Sequence, residues 1–232
     1  MSCKVKEKEN NLLVLKSYTI LIYLYTVKIK IQRDRVRSFI LAELMSGRID
    51  IGDRLSLPYF AKKLKCSVTP IREALTQLEY AKIIEAIPNR GFIIPNTDLR
   101  EARNLYELIA ALECLAVENS IYDAKRIKAL NDCQIKFSKA SKTLDRILAD
   151  FTFHEELTSL YDNEIVQEKI RDCKVRIFSY EKLYLSEADY AIESADQHEK
   201  IIRAIQSGDN NLASSILKQN WLHTLNQIET KM

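Results

Sequence analysis

Ser67-Val68-Thr69-Pro70-Ile71-Arg72-Glu73-Ala74-Leu75 is the stretch on which the reading of this chain turns. It reads as the opening of a short helix presented by a tight turn. Thr69 offers a hydroxyl to cap that helix, and Pro70 then falls at its first position, where a missing N–H costs nothing. Glu73, in the first turn, suits the positive end of the helix dipole. Arg72 does not. A cation beside that positive end gains nothing locally, so its presence needs another reason. Exposed N–H groups and a guanidinium together make a place for an anion, and a DNA phosphate is the natural occupant. An ordinary surface helix is the plainer reading, and the surrounding sequence has to separate the two.

The neighbours on both sides favour DNA. Glycine and proline are rare, four of each, and all but Gly208 fall between positions 47 and 95. A punctuated segment of short elements is therefore followed by a long stretch of helix. Residues 33–46 form an amphipathic helix with Val36, Phe39, Ile40 and Leu44 on one face and Gly47 just past its end. Ile51-Gly52-Asp53 makes a turn. Ser56 caps a second helix running to Leu64, with Pro58 tolerated in its first turn. Lys65-Cys66-Ser67-Val68 then leads into the helix Pro70–Ala81. Ile83–Ile87 and Phe92–Ile94 are short apolar strands joined by Pro88-Asn89-Arg90-Gly91, a hairpin with glycine at its tip. Helix, helix, turn, helix and a two-stranded wing make a winged helix-turn-helix, whose second paired helix enters the major groove. A three-helix cap on an enzyme leaves the basic helix start and the basic wing tip unexplained.

Charge agrees with that division. Net charge is only +3, but basic residues outnumber acidic ones six to two in 1–30 and eleven to seven in 31–97. In 98–232 the balance reverses, eighteen to twenty-three, so the front of the chain is the part suited to a polyanion. Cys3, Cys66, Cys114, Cys133 and Cys173 are odd in number and widely spaced, which fits reduced thiols in a cytoplasmic protein rather than a disulfide framework or zinc knuckle. Residues 11–28 are apolar after a lysine-rich start, yet Lys16 interrupts them, no small-residue cleavage site follows, and the run is short for a membrane helix. No stable membrane association is expected, and residues 1–30 are read as an N-terminal extension.

From Asp98 the periodicity predicts helices at about 98–122, 125–141, 145–161, 164–185, 187–206 and 209–229, an antiparallel bundle. In the first of these, Leu105, Leu108, Ile109, Leu112 and Leu115 recur at helical spacing and are expected to face the core. Three histidines are present, at 154, 198 and 223. Asp150 and His154, four apart, share a helix face, so a carboxylate and an imidazole can converge. By spacing alone, that pair fits a structural hydrogen bond better than a metal site. His154-Glu155-Glu156 lacks the second histidine of a zinc hydrolase, because position 158 is threonine. No nucleophile signature, glycine-rich phosphate loop or paired catalytic carboxylates are present, so the chain is not read as an enzyme.

Leu44–Leu55, Ala61, Leu64, Ser67–Leu75 and Pro88–Gly91 together resemble the GntR family of bacterial transcription regulators across nearly all of 33–96. The resemblance implies that Ser67, Thr69 and Arg72 touch phosphates or bases and that Arg90 and Gly91 at the wing tip reach the minor groove. The family usually has arginine where Val68 stands and Glu-Arg where Leu57-Pro58 stand, so the operator differs or binding is weaker. Asp150-Phe151-Thr152-Phe153-His154 and the run from His198 through Gly208-Asp209 to Ala213 are similar to the FCD effector domain of the FadR-type branch. Six helices fit its VanR-like subgroup. That resemblance implies a divalent metal (zinc, nickel or manganese) held by Asp150, His154, His198 and residue 220. Position 220 is asparagine, a weaker donor than imidazole, with His223 one turn on as a substitute that needs a local twist. Ile109 stands where the family often has a pocket arginine, so the effector is less acidic or is held by other groups.

The sequence therefore predicts a mainly α chain, with a winged helix-turn-helix carrying a small β-hairpin wing, followed by an all-α antiparallel bundle. The expected boundaries are 1–30, 31–96 for DNA binding, and 98–232 for ligand binding and dimerisation. The expected function is a cytoplasmic homodimeric regulator, a repressor by analogy, on a near-palindromic double-stranded operator, controlled by a small-molecule effector such as a carboxylate. A metal-dependent enzyme or metal sensor carrying a DNA-binding module is the alternative.

Overall fold

The computed structural model describes residues 32–88, 90–185 and 193–232, which divide into two compact units between Pro95 and Asn96. The extension 1–30, Asn89 at the wing tip and the expected start of the fifth bundle helix lie outside the described residues.

The first unit runs α1 (32–45), β1 (Arg54–Leu55), α2 (Leu57–Leu64), α3 (Val68–Tyr80), β2 (Glu85–Ile87) and β3 (Gly91–Ile93). Val36, Ile40 and Leu44 of α1 are buried, as their spacing requires, with Phe39 half-buried. Ser56 caps α2 by accepting from the Tyr59 N–H at 3.4 Å, and Pro58 sits in its first turn, where it removes no helical hydrogen bond. Lys65 closes α2 in the left-handed region (φ 52°) and starts the turn into α3.

Two sequence expectations are corrected in this unit. Helix α3 begins two residues early, at Val68, with Ser67 rather than Thr69 at the N-cap. Ser67 makes no side-chain cap bond there. Pro70 becomes the third helical residue, still among the first four whose N–H groups have no intrahelical partner, so the ring costs no bond. The wing also gains a third strand. Arg54 pairs with Ile93 and Leu55 with Phe92, so β3 lies between β1 and β2. A two-residue strand is too short to show an alternating pattern, which is why it read as the end of a turn. Ile83 and Ile84 are buried bends ahead of β2 rather than strand residues. Gly91 opens β3 at φ +85°, a conformation that favours glycine.

The second unit holds six helices among the described residues: α4 (Leu99–Glu118), α5 (Ala124–Lys139), α6 (Thr143–Thr158), α7 (Glu164–Tyr184), α8 (Glu193–Gln206) and α9 (Asn210–Glu229). Asp98, Asp123, Asn163 and Asp209 cap four of them through side-chain oxygens. Helices α4 and α9 run antiparallel, tied at one end by Arg103–Glu229 (2.6 Å) and at the other by Cys114 donating to the Ser214 carbonyl (3.3 Å).

The leucine stripe expected in the core of α4 is only partly there. Ile109 is buried, but Leu108 and Leu115 are 47% and 39% exposed, and Leu105 and Leu112 are half-buried. The buried face is Ala102, Tyr106, Ile109, Ala110, Glu113 and Val117. Both stripes have helical spacing. The one with small residues wins because it lets α7 and α9 approach closely, and it places a carboxylate, Glu113, in the centre of the unit.

Candidate functional site

Two sets of residues suit a ligand, one in each unit. On α3 the inward face is Ile71, Ala74, Leu75 and Leu78, all fully buried. Helical geometry therefore turns Val68, Thr69, Arg72, Thr76 and Tyr80 to the surface, where all five are exposed. Ser67 and Arg90 are exposed too, and Arg90 is held at the wing by its N–H donating to the Ile87 carbonyl at 2.9 Å.

The second set is buried. Asp150 and His154 on α6 and His198 on α8 bring three donor atoms within 4.8 Å of one another. His198 Nε2 lies 3.3 Å and His154 Nε2 3.7 Å from the two Asp150 oxygens. Each ring is oriented from behind. Glu113 Oε2, an acceptor only, faces His154 Nδ1 at 2.7 Å, so that nitrogen carries the proton. Gln134 gives its amide N–H to the Ala195 carbonyl at 3.0 Å, which turns its Oε1 to His198 Nδ1 at 2.9 Å and makes that nitrogen a donor as well. A neutral imidazole with its proton on Nδ1 has a lone pair on Nε2. Both Nε2 atoms are buried without a hydrogen-bond partner. Two lone pairs and a carboxylate thus converge, a donor set that could hold a metal ion. Orientation of a ligand histidine by a carboxylate or amide behind it is the usual arrangement in metal sites. Two imidazoles and one carboxylate suit zinc, nickel or manganese better than a hard cation such as calcium.

The surroundings are apolar and closely packed. Phe153 stacks on His198 at 3.9 Å between ring centroids, and Trp221 lies 4.5 Å from His154. Burial pushes His198 down, against the pull of Asp150, and so favours the neutral ligand form. Burial would raise the Asp150 carboxyl, but the two histidines hold it below its ordinary value.

Glu113 is the central one of the residues that the sequence reading missed. It is fully buried. Besides His154 it accepts from the Trp221 indole N–H at 2.8 Å and pairs with the buried Lys174 ammonium at 2.8 Å. Burial by itself would raise its carboxyl; Lys174 and then His154 reverse that and hold it at about 2. A carboxyl depressed in the folded state gives stability that is complete above its ordinary value, 4.5, and is lost as pH falls toward about 2. The near-UV circular dichroism of Trp221, the only tryptophan, is therefore expected to collapse between those limits. A signal unchanged down to pH 2 would contradict the pairing.

Asn220 is also buried, but its amide N–H donates to Gln197 Oε1 at 2.8 Å, beside His198 in sequence. His223 is corrected. Its Nε2 is 3.2 Å from Glu193 Oε2, its side chain is 27% exposed, and it stands outside the cluster. His223 lies one turn beyond Asn220 on the same helix, but its ring is turned to Glu193 at the rim of the unit while Asn220 and Trp221 enter the core.

The family models match along both units. Residues 32–94 match the bacterial regulatory proteins of the gntR family and residues 104–221 match the FCD domain. The chain belongs to the GntR family. It is a transcriptional regulator of the GntR/FCD type, and FCD domains often bind metal ions. The gluconate operon transcriptional repressor of Bacillus subtilis is 24% identical over 199 residues, covering 80% of each chain. The Nta operon transcriptional regulator of Aminobacter aminovorans is 30% identical over 130 residues, 54% of this chain and 62% of that one. The crystal structure of a GntR protein from Rhodococcus sp. RHA1 superposes with a TM-score of 0.74 at 21% identity, over 86% of this chain and 98% of the other, which supports the fold. No described helix of this GntR protein is long and apolar enough to cross a membrane.

Proposed function

We propose that this GntR protein is a cytoplasmic repressor that binds a near-palindromic operator as a homodimer and is released or engaged by a small-molecule effector. Ser67, Thr69 and Arg72 at the start of α3, with Arg90 and Gly91 at the wing, hold the DNA. The observation that carries the sensing half of this reading is the pair of orphaned imidazole nitrogens facing Asp150 in the core of the helical unit. Asp150, His154 and His198 would hold a divalent zinc, nickel or manganese ion, with the Asn220 carbonyl as a weaker fourth donor once its amide leaves Gln197. Such an ion supplies a Lewis-acid position to which a carboxylate effector can bind. Glu113 and Gln134 fix the two rings, Phe153 and Trp221 exclude water, and Lys174 neutralises Glu113.

The exposed leucines of α4 support a dimer, since a self-complementary apolar row suits an isologous contact. Two-fold symmetry then calls for two half-sites. The effector acts only through unequal affinity for the DNA-bound and free arrangements. The similarity to transcriptional regulators favours sensing over an enzyme reading of the same cluster.

The direct test is Arg72→Ala on a duplex enriched from a random pool by the wild-type protein. Affinity is expected to fall by about 1–3 kcal/mol, with a salt dependence shallower by about one unit of log–log slope. Unchanged affinity and footprint would remove α3 from the interface.

A further inference from the structure

Helix α3 leaves one ridge uncovered, Val68, Arg72, Thr76 and Tyr80, each four residues from the next. Three of these carry polar groups. Val68 does not, yet it stands 42% exposed as the first helical residue, between the exposed Ser67 and Thr69. An exposed β-branched residue gains nothing from water, and at a helix start it neither caps nor favours the dipole. The first residues of a recognition helix are the ones that reach base edges. A valine side chain there has no donor or acceptor for a phosphate or for a guanine, cytosine or adenine edge. Only thymine presents an apolar group in the major groove, its C5-methyl. The valine side chain is also stiff about χ1, so little rotamer freedom is lost when it is covered.

We infer that Val68 reads a thymine in each half-site by packing its methyl groups on the thymine C5-methyl. The inference rests on the DNA-binding reading above. It makes Val68 a specificity-determining residue: the position selects its base by shape and apolar contact, where a longer cationic side chain would select an acceptor edge.

The test starts from duplexes enriched from a random pool by the full-length protein. Each thymine of the selected half-site is then replaced in turn by deoxyuridine, which removes only the methyl. One position is expected to weaken wild-type binding about fourfold, the effect of one buried methyl, while the others change little. In Val68→Ser, whose surface position leaves the fold intact, the same replacement is expected to have no effect. A flat scan with the wild type overturns the thymine contact and leaves DNA binding standing. A loss of equal size in Val68→Ser assigns the methyl to another residue and overturns it too. Failure to enrich any duplex overturns this inference together with the DNA-binding reading.

Discussion

Glu113→Gln is expected to lower the stability of the helical unit by about 3–5 kcal/mol, the usual cost of removing one partner from a buried ion pair. The reason is specific. Glu113 is fully buried, accepts from His154 Nδ1 and the Trp221 indole, and forms an ion pair with the Lys174 ammonium. A glutamine carries one acceptor oxygen, so its N–H₂ end must face either the ammonium or the imidazole N–H. Lys174 is then left charged, buried and without its counterion. Urea denaturation at neutral pH, followed by the fluorescence of Trp221, measures the loss. The double variant Glu113→Gln/Lys174→Met removes both charges and is expected to recover most of it, because a buried pair replaced by groups of similar volume is often neutral. A single-variant change below about 1 kcal/mol, the level of an exposed pair, would show that the network is not closed to solvent.

The second large effect is the loss of metal. For the intact protein, saturation with zinc, nickel or manganese at 100 times the dissociation constant is expected to add about 2.7 kcal/mol of stability. His154→Ala and His198→Ala are each expected to abolish that gain and any metal found by elemental analysis. Each removes one of the two orphaned nitrogens. Glu113→Gln should keep both ligands and yet weaken the metal by about 10–100-fold, the usual effect of losing the group that orients a ligand histidine. A purified protein with no metal, and no thermal gain from any of the three ions, would sink the metal-sensing reading. The DNA-binding reading would be unaffected.

Much of the first unit was legible from the chain alone. Ser56, Pro58, Gly47 and Gly91 act through local backbone chemistry, which sequence displays directly, and the apolar periods of α1 and α3 announce their buried faces. Strand β1 was not legible, because two residues acquire their conformation from pairing with β3. In the buried site, Asp150 and His154 were visible as an i, i+4 pair on one helix, and His198 entered through its family resemblance. Glu113, Lys174, Gln134 and Trp221 were missed. The signal for Glu113 existed: Tyr106, Ile109, Ala110, Glu113 and Val117 form an apolar helical stripe with a carboxylate inside it. It was hidden by the larger leucine stripe on the same helix.

By itself, then, the sequence determined the order and kind of the elements other than β1, the exposed recognition helix and two of the cluster's residues on one helix. These depend on near neighbours, and periodicity and capping record them. The tertiary structure decided which face of α4 is core, which rings are oriented by which acceptors, and that His223 points away from the cluster. Those depend on which distant helices approach, and packing settles that by fitting small residues against large ones.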